Sequence, residues 1–336
     1  MSTMKYDQKI LIIRFSSIGD IILSTSPLRT IRVAYPNAQI TFLTLEIFAP
    51  LLEFHPDVDA IITISKSETL NNVLHFKKFL RNKNYNIIFD LHNSLRSRLL
   101  LFGYKSKIFR LYKPRIKRFL LFNFFINTFD KKFSTIKMYH DCISINSISA
   151  QKIPSPSLRV IKTEIESTKR LLRNKLINNE FIVIIPGAAW KQKQWKLKHY
   201  IKLIEKINID IILIGTEKDK ICFELKKELK EKIHNFAGET SLREALSILY
   251  LSNYVIGSDT GLTHAAEALG KPVTMILGPT SRETGAGVNL DNSINIEKDI
   301  WCRPCSQNGS SKCFRKKQYC MDLISPEDVF KTIPEI

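Results

Sequence analysis

The sequence predicts an α/β protein with two parallel, doubly wound halves of similar size. Short, wholly apolar runs alternate with longer stretches that are apolar at helical spacing. A chain of 336 residues is long enough for two domains. A strand–turn–helix pattern opens the chain and recurs in its second half, most clearly in NYVIGSDTGLTHAAEALGKPVTMILGPT, residues 253–280.

In the first half, residues 9–15 read as a strand, 16–20 as a turn and 21–34 as a helix. Strands follow at 39–44, 60–64 and 85–90, with helices at 46–54 and 70–81. The strand at 85–90 runs into a polar cluster, Asp90, His92, Asn93 and Ser94. Pro154 and Pro156 interrupt all periodicity in residues 151–157, which read as a linker. Beyond it come a helix at 164–176, a strand at 181–185, a helix at 197–207 and a strand at 210–215. Helices at 218–232 and 241–251 lead into the strand 254–256, the helix 262–269 and the strand 273–277. Ser325 and Pro326 suit the capped start of a short final helix.

Ligands of open α/β sheets gather beyond the carboxyl ends of the strands. Asp259, Thr260, Gly261 and His264 fall at such a place, where the amides of a helix start suit a phosphate. Asp20 occupies the matching turn of the first half. It reads either as an acid favoured by the helix dipole or as a general base. Lys193, in PGAAWKQKQW, reads as a solvated lysine or as a point charge for a departing diphosphate. Gly187 in that stretch is expected to let the backbone turn sharply. Glu217, just past a strand end, reads as a surface acid or as an acceptor for ribose hydroxyls. Asp57 and Asp59 form a D-x-D spacing, read here as loop acids ahead of a metal site.

The net charge of +19 implies an anionic partner, although part of it is compositional drift. Residues 91–129 contain no acid and hold nine bases between Arg96 and Arg118, including Arg98, Lys105 and Lys107, interleaved with aromatics. This is either a solvated face or a surface for anionic lipid. No helix-turn-helix, RRM-type or zinc-finger pattern supports nucleic acid as the partner. No G-x-G-x-x-G follows the first strand and no P-loop occurs, which disfavours a dehydrogenase or P-loop enzyme. No secretory pattern and no spanning apolar run is evident, so a cytosolic protein is expected. Cys302, Cys305, Cys313 and Cys320 have a spacing only loosely like that of a zinc ribbon; zinc, a disulfide or free thiols all remain open.

Taken together and in order, ILIIRFSSIGDIILSTSPLRTIRVAYPNAQITFLT, FDLHNSLRSRLL, PGAAWKQKQW and VIGSDTGLTHAAEALGKPVTMILGPT resemble glycosyltransferase family 9, the ADP-heptose:lipopolysaccharide heptosyltransferases. The resemblance implies a GT-B fold, two Rossmann-like domains facing across a cleft. Residues 1–155, rejoined by the C-terminal helix at 325–336, would bind the acceptor. Residues 156–324 would bind the nucleotide sugar. It implies inverting transfer of heptose from ADP-heptose to a lipid A–core oligosaccharide, with no cofactor or divalent metal, in the cytoplasm at the inner membrane. Another nucleotide sugar or a later core acceptor is the alternative. By the same resemblance Asp20 is the base, Lys193 lies at the donor phosphates and Glu217 at the ribose. Asp259 would bond sugar hydroxyls, the Thr260 and Gly261 amides would take phosphate, and His264 would orient the loop.

Overall fold

Strands form where apolar residues run unbroken, because a parallel sheet covered on both faces excludes water from both sides of each strand. The computed structural model describes residues 6–66, 70–143, 152–177 and 180–335. In chain order, β1 (Gln8–Ile13), α1 (Ile18–Leu23), α2 (Ser26–Ala34), β2 (Ala38–Leu45) and β3 (Ala60–Ile64) come first. They are followed by α3 (Leu70–Asn82), β4 (Ile87–Asp90), α4 (Leu95–Leu101), β5 (Lys107–Arg110), α5 (Arg115–Phe124) and α6 (Thr135–Ile143). The next series is α7 (Lys162–Asn174), β6 (Phe181–Ile185), α8 (Leu197–Ile204), β7 (Asp210–Leu213), α9 (Lys220–Leu229) and β8 (His234–Asn235). It ends with α10 (Leu242–Leu251), β9 (Tyr254–Ser258), α11 (Gly261–Ala268), β10 (Val273–Ile276), β11 (Ile294–Ile296), α12 (Tyr319–Asp322) and α13 (Pro326–Phe330).

The described residues group into two units: Met1–Lys113 with Thr135–Arg159, and Pro114–Ser134 with Val160–Ile336. The first holds a sheet in the order β3-β2-β1-β4-β5, every pair parallel. Its core packs Leu11, Ile13, Leu43, Ile64 and Ile88 against Leu80 and Leu100 of the covering helices. The second holds the order β11-β10-β9-β6-β7-β8, again parallel throughout. In each, the order reverses beside the first strand of the unit: between β1 and β4, and between β6 and β9. Chain crossovers leave opposite faces there, so a crevice opens beyond the strand ends.

Three strands escape the periodicity reading, and each has a reason. The β5 strand, Lys107, Ile108, Phe109 and Arg110, sets only two half-buried apolar residues between exposed bases, at the edge of its sheet. The β8 and β11 strands span only two and three residues. The helix expected at 21–34 is two helices, with a turn at Ser24 and Thr25; Pro27 opens the second. Residues 46–54 form one short 3-10 segment, Glu46–Leu51, with Pro50 inside. No described helix is long and apolar enough to cross a membrane.

The units depart from the expected domains at two places. The segment around α5 belongs to the second unit, where Arg118 donates to the Glu283 carbonyl at 3.4 Å and Asn127 to its carboxylate at 3.0 Å. The C-terminal helix also stays with the second unit instead of joining the first. Val329 is fully buried in the core that holds Trp195 and Tyr200, and the Trp195 indole donates to the Ile324 carbonyl at 3.1 Å. The Tyr254 hydroxyl donates to the Thr332 carbonyl at 2.8 Å. As the sequence predicts, Ser325 caps this helix and Pro326 begins it.

Trp195, 1% exposed, therefore ties β6, α8 and the C-terminal segment together. Trp195→Ala is expected to cost about 3–5 kcal/mol of stability by urea denaturation. A loss below about 1 kcal/mol would show that the tail packs without it.

Candidate active site

In the first unit, the crevice beyond β1 and β4 is built around Arg14. This guanidinium lies only 7% exposed at the end of an apolar strand. Its Nε donates to the Ser16 carbonyl and one terminal nitrogen to the Leu91 carbonyl, each at 2.8 Å. The other terminal nitrogen meets Asp20 Oδ2 at 2.8 Å. Asp20 is the third residue of α1, and its Oδ2 also accepts from the Ser17 amide at 3.2 Å and the Ser17 hydroxyl at 3.0 Å. The Tyr139 hydroxyl, from α6, reaches Oδ1 at 3.3 Å. Burial favours the protonated acid, but the Arg14 charge and the Ser17 bonds outweigh it and hold Asp20 below the ordinary carboxylate range. The side chain keeps 38% of its surface exposed, so a ligand reaches it.

His92 stands just beyond β4, its ring edge to face with Phe15, ring centres 4.9 Å apart. Burial and the positive charges of Arg14 and Lys113 push its pKa down to about 3, so it is neutral at physiological pH. Asp90 is consumed structurally, accepting from the amides of His92 and Asn93 and from the Ser97 hydroxyl.

In the second unit, the crevice lies beyond β6 and β9. Asp259 is 8% exposed there, and Lys193 meets its Oδ2 at 2.8 Å. The Thr280 hydroxyl donates to the same oxygen at 2.9 Å, and His264 Nε2 lies 3.3 Å from Oδ1. Burial alone would raise the Asp259 pKa; the His264 bond and the Lys193 charge hold it well below the usual range instead. The helix α11 starts beside this carboxylate, with Thr260 as its cap residue, whose side chain makes no capping bond. Amides of a first helical turn have no acceptor inside the helix. Thr263 fastens the turn, its hydroxyl donating to the Ser258 carbonyl at 2.8 Å. Gly257 leaves that hydroxyl room: a Cβ would sit 2.5 Å from it.

Lys193 is shaped from the cysteine-rich loop. Gly309, at φ +84°, lies so close that a Cβ would be 2.5 Å from Lys193 Cγ. Glu217 is exposed on the loop after β7, its backbone against Gly238. Asp219 pins that loop by accepting from the Thr216 amide and hydroxyl at 2.7 and 2.8 Å. The Asp219 carboxyl also explains Gly187, where a Cβ would overlap it. Gly187 is outside the left-handed region, so close approach, and not a sharp turn, requires it there.

The structure thus brings Lys193, Asp259, Thr260, Gly261 and His264 into one place, with Glu217 on a neighbouring loop. Asp20 stands in the other unit. Sequence reasoning missed Arg14, whose signal is a lone charge in an apolar run, and Thr280, the last residue of the stretch it emphasised. Tyr139 and Gly309 carry no local signal. Of the basic residues, Arg96 donates to the Ser65 carbonyl at 2.7 Å and Arg98 to the Asn93 side chain at 2.9 Å, while Lys107 lies over the Phe109 ring. Lys105 is exposed. The D-x-D acids are loop acids: Asp57 pairs with Arg29, and Asp59 with Arg32 and the Ile40 amide. Cys302, Cys305, Cys313 and Cys320 are free thiols lining one small pocket. Burial and neighbouring thiols push Cys320 up to about 11. Among the described residues, no three His, Cys, Asp or Glu side chains are arranged to hold a metal ion.

The sequence model of glycosyltransferase family 9 (heptosyltransferase) matches residues 73–314. The chain belongs to this family. It is therefore a glycosyltransferase, and the family match spans Lys193, Glu217 and the Asp259–His264 turn. Lipooligosaccharide heptosyltransferase 2 of Haemophilus influenzae is 30% identical over 294 residues, covering 81% of this chain and 84% of that one. Lipopolysaccharide heptosyltransferase 1 of Campylobacter coli is 26% identical over 347 residues, covering 98% of each. The solved structure of E. coli ADP-heptose LPS heptosyltransferase II superposes with a TM-score of 0.74 at 24% identity, covering 96% of this chain and 97% of that one. A family 9 glycosyltransferase from Veillonella parvula gives 0.78 at 16% identity, covering 98% and 96%. The fold of this glycosyltransferase is GT-B.

The ion pair makes a pH prediction. A carboxylate held low in the folded state stabilises it above the unfolded value, about 3.9, and that contribution is lost as pH falls through the folded value. Asp259→Asn should melt below the wild type at neutral pH, because Lys193 loses its counter-charge, and the gap should narrow below about pH 4. A gap that stays constant on acidification would contradict the ion pair.

Proposed function

We propose that this glycosyltransferase moves heptose from ADP-heptose to the inner core of lipopolysaccharide, with inversion and without a divalent metal. The observation that carries the reading is the Lys193 ammonium held on Asp259 beside the start of α11. An ammonium has three donors, and Asp259 takes one. The other two, with the amides of Gly261, Leu262 and Thr263, suit the negative charge that grows on a departing diphosphate. A lysine and a helix start do here the work for which many nucleotide-sugar sites employ a metal, and both D-x-D acids are already spent on arginines. Glu217 offers an exposed carboxylate for ribose hydroxyls. The names of the relatives supply the heptose, the ADP and the lipopolysaccharide. Another nucleotide sugar or a later core acceptor is the nearest alternative.

In the proposed displacement, an acceptor hydroxyl oxygen bonds to the anomeric carbon as the bond to the diphosphate oxygen breaks. The hydroxyl proton goes to Asp20, and ADP leaves carrying the bonding electron pair. Asp20, held by Arg14, is ionised throughout the neutral range and is a weak base toward a free hydroxyl. It therefore takes the proton late, once bonding to the oxocarbenium-like carbon has made the hydroxyl acidic. Such chemistry belongs at the cytoplasmic face of the inner membrane, where the lipid-anchored acceptor is met.

Asp20→Asn keeps the side chain's shape and removes its basicity. Turnover of ADP-heptose with a truncated lipopolysaccharide, followed by product mass, should fall about 10²–10⁴-fold. ADP-heptose affinity by calorimetry should stay near wild type. Near-normal turnover would remove Asp20 from the base role, and no product from the wild type with ADP-heptose would point to another donor.

A further inference from the structure

From the exposed rings and the charge of the second unit, we infer a membrane-docking surface for anionic phospholipid, formed by α5 and the cysteine-rich loop. Single exposed apolar residues are normal, but a contiguous exposed patch is not. On α5, Ile116, Phe119 and Phe124 are 74%, 58% and 59% exposed. Phe119 and Phe124 meet edge to face at 5.9 Å. The next residue, Phe125, caps the helix and touches two rings from the distant loop, Trp301 at 5.3 Å and Phe314 at 6.3 Å. Those two rings lie 5.9 Å apart and are 64% and 63% exposed. Two groups of rings, Phe119 with Phe124 on α5 and half-buried Phe125 with Trp301 and Phe314, therefore adjoin through consecutive residues Phe124 and Phe125.

The two segments that carry these rings hold bases and no acid. Residues 114–129 contain Arg115, Lys117 and Arg118 and no acid; residues 300–321 contain Arg303, Lys312, Arg315, Lys316 and Lys317 and no acid. Two acid-free stretches, far apart in sequence, are joined at Phe125. The Arg118 and Arg303 side chains are used internally, on the Glu283 carbonyl and on Glu297, and Arg315 lies over the Trp301 ring. Arg115, Lys117, Lys312, Lys316 and Lys317 are exposed. Apolar and aromatic side chains ringed by bases match the boundary between headgroups and acyl chains in an anionic leaflet. A second copy of the same surface would bring like charges together. Nucleic acid would use the bases and rings but leave Ile116 and Ile126, the latter 52% exposed, without a stacking partner.

The test is flotation of the full chain with vesicles of phosphatidylcholine alone or containing one-third phosphatidylglycerol, with no donor or acceptor present. Wild type should float only with the anionic vesicles, and salt should weaken the binding without abolishing it. Phe119→Ser combined with Trp301→Ser should weaken it roughly ten- to a hundredfold. Arg115→Gln combined with Lys117→Gln should weaken it as well, which keeps the test open if the first variant folds poorly. The inference is overturned if wild type fails to float or if both variants float like wild type. It is also overturned if a short DNA strips the wild type from the vesicles, or if the variants change the oligomeric state.

Discussion

A lysine and an aspartate buried together at the end of a parallel sheet are the interaction on which the second unit's site depends. Taking both charges out of water is costly, and the pair persists because each partner is further satisfied. Asp259 accepts from Thr280 and bonds His264, and the turn beneath it is fastened by Thr263 to Ser258. The stem of Lys193 runs against Gly309, so a loop more than a hundred residues downstream shapes its path. Removing the counter-charge strands an ammonium in a dry place. In the proposed function the same dryness would strengthen that ammonium's hold on a diphosphate, since a charge counts for more away from water.

The first unit repeats the arrangement with the signs exchanged in importance. There the buried residue is a cation, Arg14, and the more exposed partner is the carboxylate, Asp20. Arg14 is spent on two carbonyls and one acid, so it fixes the turn that presents Asp20. Both crevices open where the strand order reverses beside the unit's first strand. One fold rule thus opens two crevices, and the residues at the strand ends give them different charged groups.

Much of this is legible in the sequence, for physical reasons. The runs in β6 and β9 are buried from end to end, as are the last four residues of β1, and they announce themselves as central parallel strands. Asp20, Lys193 and Asp259 stand just beyond such runs, where a charge has no packing role. The edge strands are unreadable because β5 has only two apolar residues between bases and β8 is too short for a period. The unit boundary is unreadable because α5 is held by Glu283, a contact that no local pattern encodes. The basic segment's meaning also changes in three dimensions: Arg96 bonds the Ser65 carbonyl and exposed Arg98 the Asn93 side chain, both within the first unit, whereas the rings joined at Phe125 belong to the second.

Titrating ADP into the wild type and into Lys193→Met tests the central claim most directly. Methionine keeps the packing against Gly309 and removes only the charge. If Lys193 receives the diphosphate, the variant should bind ADP at least about tenfold more weakly, the effect of one charge-assisted bond. Equal affinity for ADP would contradict that claim and leave the Lys193–Asp259 pair as structural.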